Sequence, residues 1–215
     1  AYNGWNTGIT LANPSAIPAT VTVEYYEAGG GYVSDTQVVV PASSMQYIYT
    51  PGSVAQEGFV GGANILSNVP VISSVDEVKY ETIEGLSYMA DGRGQQEVTI
   101  PLVFRENPAK AQHDNSGIAI TNLDPNATAT VAVELLSLYG VDLLPSPIQV
   151  VIPAGGIGTV YLPFIDGLAP GTVATARLTT ASQAGIVAVS NDINYTVTGD
   201  GSVVFSAWGA TGAGQ

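Results

Sequence analysis

From Thr20 to Tyr26 apolar and polar side chains alternate. Val21, Val23 and Tyr25 fall on one face, and Thr22, Glu24 and Tyr26 on the other. A period of two carried by β-branched and aromatic residues marks a half-buried β-strand. Gly29-Gly30-Gly31 follows, where positive φ is cheap and the chain can turn back as a hairpin. The pattern predicts a return strand over Thr36–Val40, stopped by Pro41. Further strands are predicted over Met45–Tyr49, Gly61–Leu66 and Val71–Val78, with turns at Pro51-Gly52 and Asn68-Val69-Pro70. A second series falls at Val131–Leu136, Ile148–Ile152, Gly158–Leu162, Thr172–Leu178 and Gly185–Ile193. No segment sustains a helical period. A single helical turn is allowed near Gln56 and at Phe164-Ile165-Asp166.

The two series are one unit written twice. Asn6-Thr7-Gly8-Ile9-Thr10-Leu11-Ala12-Asn13 matches Asn115-Ser116-Gly117-Ile118-Ala119-Ile120-Thr121-Asn122, and Ala19–Glu24 matches Ala129–Glu134. Val39-Val40-Pro41-Ala42 matches Val151-Ile152-Pro153-Ala154, Tyr49-Thr50-Pro51 matches Tyr161-Leu162-Pro163, and Pro70–Tyr80 matches Gly185–Tyr195. The order never changes, and the offset drifts only from 109 residues at Asn6/Asn115 to 115 at Tyr80/Tyr195, as short insertions in turns would produce. Many short strands with frequent turn signals predict an all-β chain. The expected architecture is two tandem immunoglobulin/fibronectin III-like antiparallel β-sandwiches, residues 1–95 and 96–215.

The copies differ at their openings. Val98–Phe104 reads as a strand that opens the second copy, but Ala1 aligns near Lys110, so nothing among residues 1–215 matches that strand for the first copy. The chain stops at Gln215, where the first copy has Gln95. The plainer reading is a segment of a longer array or an ordinary two-domain unit. The other is a first domain that receives its opening strand from a neighbouring subunit, along an edge expected beside Thr7–Ala12. Either reading makes Trp5, Ile9, Leu11, Val98, Ile100, Leu102, Phe104 and Trp208 candidates for a subunit or domain interface.

Composition narrows the function. Eighteen acidic residues against five Lys and Arg give a net charge of −13, and the five cations are scattered. Such a chain lacks the basic footprint that nucleic acid or an anionic membrane surface requires. No apolar run approaches the length of a transmembrane helix, so no membrane insertion is expected. With no cysteine there is no disulfide and no thiolate chemistry. His113 is the one histidine and sits in a polar stretch, which leaves no His-based triad or histidine metal cluster. Gly92-Arg93-Gly94 and Gly199-Asp200-Gly201 read as turns, because neither has the strand–loop–helix setting of a phosphate cradle. Acids near strand ends, Asp76-Glu77, Asp91, Asp166 and Asn191-Asp192, raise calcium as a soft alternative to turn chemistry, without a known spacing. Asn126-Ala127-Thr128 and Asn194-Tyr195-Thr196 fit the glycosylation sequon. No catalytic residues, cofactor or metal are expected, and the chain is read as not an enzyme.

Tyr2-Asn3-Gly4-Trp5-Asn6-Thr7-Gly8-Ile9 with Asn13, followed by Ala19–Tyr26, resembles the tandem β-sandwich repeat module of uncharacterised secreted bacterial multi-repeat surface proteins. Ile100-Pro101-Leu102-Val103 resembles the strand that often precedes that module. The resemblance implies an exported surface or filament component. The expectation is therefore an extracellular structural protein at the cell surface, whose main partner is other copies of itself. The runner-up is an adhesive or carbohydrate-binding module of a larger secreted protein, with a glycan as ligand. An accessory domain of an extracellular hydrolase ranks third.

Overall fold

The computed structural model describes residues 4–54, 58–81, 84–90, 92–109, 113–193, 203–206 and 208–209, with Ile193 and the last two stretches described by backbone alone. The chain divides into two compact units, Ala1–Ala90 and Asp91–Gln215.

The first unit contains β1 (Trp5–Asn13), β2 (Ala19–Glu27), β3 (Tyr32–Val40), β4 (Ser44–Tyr49), β5 (Gly61–Ser67), β6 (Ile72–Lys79) and β7 (Glu84–Met89). They form two antiparallel sheets, ordered β4-β1-β6-β7 and β3-β2-β5. The second unit contains β8 (Glu97–Arg105), β9 (Asn115–Asn122), β10 (Ala129–Leu136), β11 (Ile148–Ile152), β12 (Ile157–Tyr161), β13 (Thr172–Thr180), β14 (Ile186–Ile193), β15 (Val203–Ser206) and the two-residue β16 (Trp208–Gly209). Its sheets run β12-β9-β14-β15 and β11-β10-β13-β8-β16. Each unit is an all-β sandwich with its core between the two sheets.

The alternation that marks the strands also sets the cores. Val21, Val23 and Tyr25 are buried, as are their counterparts Val131, Val133 and Leu135 on β10. Ile9 and Leu11 of β1 meet them from the facing sheet, as Ile118 and Ile120 of β9 do in the second unit. Each such side chain stabilises the fold by roughly 1.5–3 kcal/mol when fully buried.

The asparagine that closes the repeated motif has a structural duty in both units. Asn13 Nδ2 donates to the carbonyls of Ile17 (2.8 Å), Val40 (3.1 Å) and Pro41 (3.1 Å), while its Oδ1 accepts from Ser15 N at 3.0 Å. Asn122 repeats the clamp on Ala127 (2.8 Å), Ile152 (3.3 Å) and Pro153 (3.0 Å), with Asp124 N at 3.0 Å. Each asparagine ties the β1–β2 or β9–β10 turn to the strand end across the sandwich.

Several details depart from the sequence pattern. β7 has no predicted counterpart. The single-turn helices lie at Thr50–Gly52 and Leu162–Phe164, each opening a turn with proline inside, while Gln56 lies outside the described residues. The opening strand β8 pairs with β13, whereas the immunoglobulin order would set the first strand beside the second. The break between units falls at Ala90/Asp91, and Gln95 already pairs with Ile186 of the second unit. The strand-accepting edge expected beside Thr7–Ala12 is not there: β1 is central, flanked by β6 over that whole stretch and by β4 from Gly8 onward.

Candidate assembly site

The first unit does have a bare edge, on the other sheet. β5 pairs with β2 on one side and, among the described residues, with nothing on the other. Asn68 N donates to Thr20 O and Ala28 N to Val60 O, which fixes the hydrogen-bonded pairs of the β2–β5 ladder. Antiparallel pairing alternates, so Leu66, Asn64 and Gly62 turn their backbone groups to β2. Gly61, Ala63, Ile65 and Ser67 turn theirs to the open side.

The second unit shows the same place filled. Register through β2 and β10 makes Ile65 the counterpart of Leu178, Ala63 of Ala176 and Ser67 of Thr180. There β8 pairs antiparallel with β13, setting Val98 opposite Leu178, Ile100 opposite Ala176 and Val103 opposite Ala174. Thr180 N donates to Gln96 O at 2.8 Å, as the same alternation demands. The side chains follow the backbone. Ala176 and Leu178 are 0% exposed, whereas Ala63 is exposed and Ile65 only half-buried. The difference is the cover that Val98, Ile100 and Val103 provide.

β8 is not a regular strand. Its pairing shifts between Ala174 and Ala176, so Pro101 and Leu102 together oppose Thr175. Thr175 Oγ1 donates to Pro101 O at 3.0 Å across this bulge. Proline in a paired strand belongs at such an irregularity, where its missing N–H costs no ladder bond. The extra residue resets the alternation. Val103 faces inward at 0% exposure in place of Leu102, which is half-buried.

Most of the expected interface residues lie in the cores of their own units. Ile9 and Leu11 pack inside the first sandwich and Val98 and Ile100 inside the second, while Phe104 is buried apart from that core cluster. They hold sandwiches together and offer no outer surface. Trp5 is half-buried beside Lys79 at the end of β1. The backbone of Trp208 pairs with Thr99 on the outer edge of β8, and its side chain lies outside the described residues.

A second surface of the first unit escaped sequence reading because its residues come from four strands. On the outer face of β4-β1-β6-β7, cross-strand register puts Met45, Ala12 and Ile72 in one row, and Tyr47, Thr10, Ser74 and Met89 in the next. Met45, Tyr47, Ile72 and Met89 are each at least half exposed, an uncommon concentration for a solvated sheet face. Small residues keep the middle low. A Cβ on Gly8 would fall 2.0 Å from the Tyr47 hydroxyl, so the tyrosine lies across the glycine.

Glu77 on β6 accepts from the Tyr88 hydroxyl at 3.1 Å, and burial pushes its carboxyl above the usual range despite that bond. Burial and the neighbouring Glu77 likewise push the Tyr88 hydroxyl up. On the second unit's outer face Glu134 pairs with Arg177 at 2.5 Å. Glu24, at the first unit's matching position, accepts from Tyr26 at 2.9 Å. Asp192 is buried in β14, Asp76 lies on the outer face of β6, Asp166 follows the Leu162–Phe164 turn, and Asp91 lies outside the described residues. Among the described residues no three His, Asp or Glu side chains gather as metal ligands, and no helix is long and apolar enough to cross a membrane. The sequon at Asn194-Tyr195-Thr196 and the Gly199-Asp200-Gly201 turn lie outside the described residues.

No family model, curated protein or solved structure matches this chain. The arrangement therefore speaks through its own two halves. Among the described residues it offers an unpaired row of backbone donors and acceptors above a partly uncovered core, and an apolar sheet face.

Proposed function

We propose that this chain is a subunit or segment of an extracellular, cell-surface fibre or layer. It is built by head-to-tail contacts between β-sandwiches, with strand donation between subunits. The observation that carries this reading is the bare β5 edge, set against the filled β13 edge of an otherwise equivalent unit. An unpaired edge over a half-covered core is a joining surface: a partner strand supplies hydrogen bonds and apolar cover together. A contact between unlike surfaces of successive subunits does not close on itself in pairs and propagates into a ring or fibre. The Met45/Tyr47/Ile72/Met89 face adds apolar area for a second contact. The resemblance to secreted multi-repeat surface proteins supports export, and the net charge of −13 suits a protein kept soluble until it assembles.

A second reading, an adhesive or carbohydrate-binding module of a larger secreted protein, draws on Tyr47 and Tyr49. They project from the same face of β4, 50% and 42% exposed. Exposed tyrosine rings are platforms for sugar faces and for protein partners alike.

Electron microscopy and light scattering of the purified chain over a wide concentration range test the proposal. Fibres, rings or sheets that grow with concentration are expected. A monodisperse monomer at every concentration, together with saturable binding of a polysaccharide, would replace it with the second reading.

A further inference from the structure

We infer that the β5 edge is an acceptor groove for a strand of the β8 type, donated antiparallel by a neighbouring subunit and held in the register seen between β8 and β13. The inference rests on the assembly reading above and adds to it the chemistry of the donor.

The second unit is the template. Transferred through the matched strands, its register sets Ser67 against the position of Gln96, Ile65 against Val98, Ala63 against Ile100 and Gly61 against Val103. The backbone groups that β13 gives to β8 at Ala174, Ala176, Leu178 and Thr180 have counterparts on β5 turned to the open side. Ile65 and Ala63 stand less covered than their sealed counterparts Leu178 and Ala176, and they are the ones the donor's Val98 and Ile100 positions would cover. The donor's required pattern follows. It needs apolar side chains at the first, third and sixth of six positions, as in Val98-Thr99-Ile100-Pro101-Leu102-Val103, because the bulge inserts one residue before the last inward contact. The acceptor has Gly62 where β13 has Thr175, so the Thr175–Pro101 bond has no counterpart there and the bulge is held by backbone and core contacts alone. The chain's own β8 is committed to β13, so the donor is a strand of this pattern not already engaged in its own sandwich.

The probe is a labelled peptide with the sequence Gln96–Glu106, added to the full 215-residue chain. Binding is followed by fluorescence anisotropy, and its location by hydrogen exchange. Saturable binding that slows exchange over Gly61–Ser67 is expected. A shuffled peptide, or one carrying Ile100→Lys, should bind at least about tenfold more weakly, as loss of a central apolar anchor requires. Ala63→Pro in the chain removes an N–H that faces the open side and leaves the β2 ladder intact. It should weaken the wild-type peptide by a similar factor while thermal unfolding shows the variant folded. Because the peptide variants leave the chain untouched, the test stands even if Ala63→Pro does not fold. No binding up to about 1 mM, where affinity falls to a non-specific level, overturns the inference. So does protection confined to Thr172–Thr180, which would mean that the peptide displaces β8. If the chain assembles and the peptide neither binds nor slows assembly, the donor assignment falls and the assembly reading stands. If the peptide protects β5 in a chain that never assembles, the donor assignment stands and the polymer does not.

Discussion

Ala63 and Ala176 occupy the same place in the same fold, yet one meets solvent and the other is sealed. The strands beneath them are alike. Val23 and Val133 are both fully buried, and the asparagines at Asn13 and Asn122 make the same three-carbonyl clamp. What differs is one strand. In the first unit both sheets form and bury Val21, Val23 and Tyr25, with no counterpart of β8 among the described residues. Its margin along β5 stays open. In the second unit β8 closes that margin. It completes one side, and a side completed by a separable piece can serve as a joint.

Supplying the strand is the strongest way to sharpen the comparison. Joining residues 96–114 directly ahead of Asn6, in place of Ala1–Trp5, recreates the second unit's opening in the first. Burial of three apolar side chains at roughly 1.5–3 kcal/mol each, less the cost of ordering the strand, predicts a net gain of about 3 kcal/mol. Calorimetry should show the less stable transition moving up by on the order of 10 °C, and the grafted chain should lose any tendency to assemble. Next in size is a matched pair of truncations. Leu178→Ala opens a cavity in a sealed site and should cost about 3 kcal/mol in chemical denaturation. Ile65→Ala, at the equivalent open site, should cost about 1 kcal/mol or less, because water already reaches it. Equal costs would break the equivalence. The clamps come third. Asn122→Ala and Asn13→Ala each orphan buried carbonyls and should each cost about 2 kcal/mol, with similar values because the two sites are equally enclosed.

The smallest effect concerns Glu77. Burial raises its carboxyl pKa in the folded state, so the folded chain holds that proton more tightly than the unfolded chain does. The stability that this provides is present in acid, below the unfolded carboxylate pKa, and is lost as pH rises through the folded value. Glu77→Gln keeps an acceptor for Tyr88 and removes the buried charge. It should stabilise the first unit at neutral pH and make no difference in acid, as denaturation at pH 3 and pH 7 would show.

Much of this fold is written locally. Val21, Val23 and Tyr25 alternate so plainly with polar neighbours that both the strand and its inner face can be read from seven residues. The missing strand could be read too, from the repeat offset, but not its neighbour. β8 is next to β9 in the chain and pairs with β13, and such non-local pairing leaves no trace in a local pattern. That is why the open edge was sought beside β1. Strict alternation from Val98 would turn Leu102 inward. The bulge at Pro101 shifts the inward place to Val103, and proline was the signal that could have warned of it. β7 escaped because Glu84-Gly85-Leu86-Ser87-Tyr88-Met89 turns only Leu86 into a buried site, with glycine and serine beside it. Asn13 and Asn122 were visible as matched letters. Their three-carbonyl clamp was not, since the carbonyls arrive from the far end of a different strand.

Residue-resolved hydrogen exchange on the dilute, monomeric chain addresses the central claim most directly. The amides of Ala63 and Ile65 should exchange at rates close to an unprotected chain, while those of Ala176 and Leu178 exchange orders of magnitude more slowly. Adding the Gln96–Glu106 peptide should slow Ala63 and Ile65 and leave Ala176 and Leu178 unchanged. Matching protection of the two pairs in the monomer would mean that the first sandwich is already closed, and the account of β5 as a joint would be wrong.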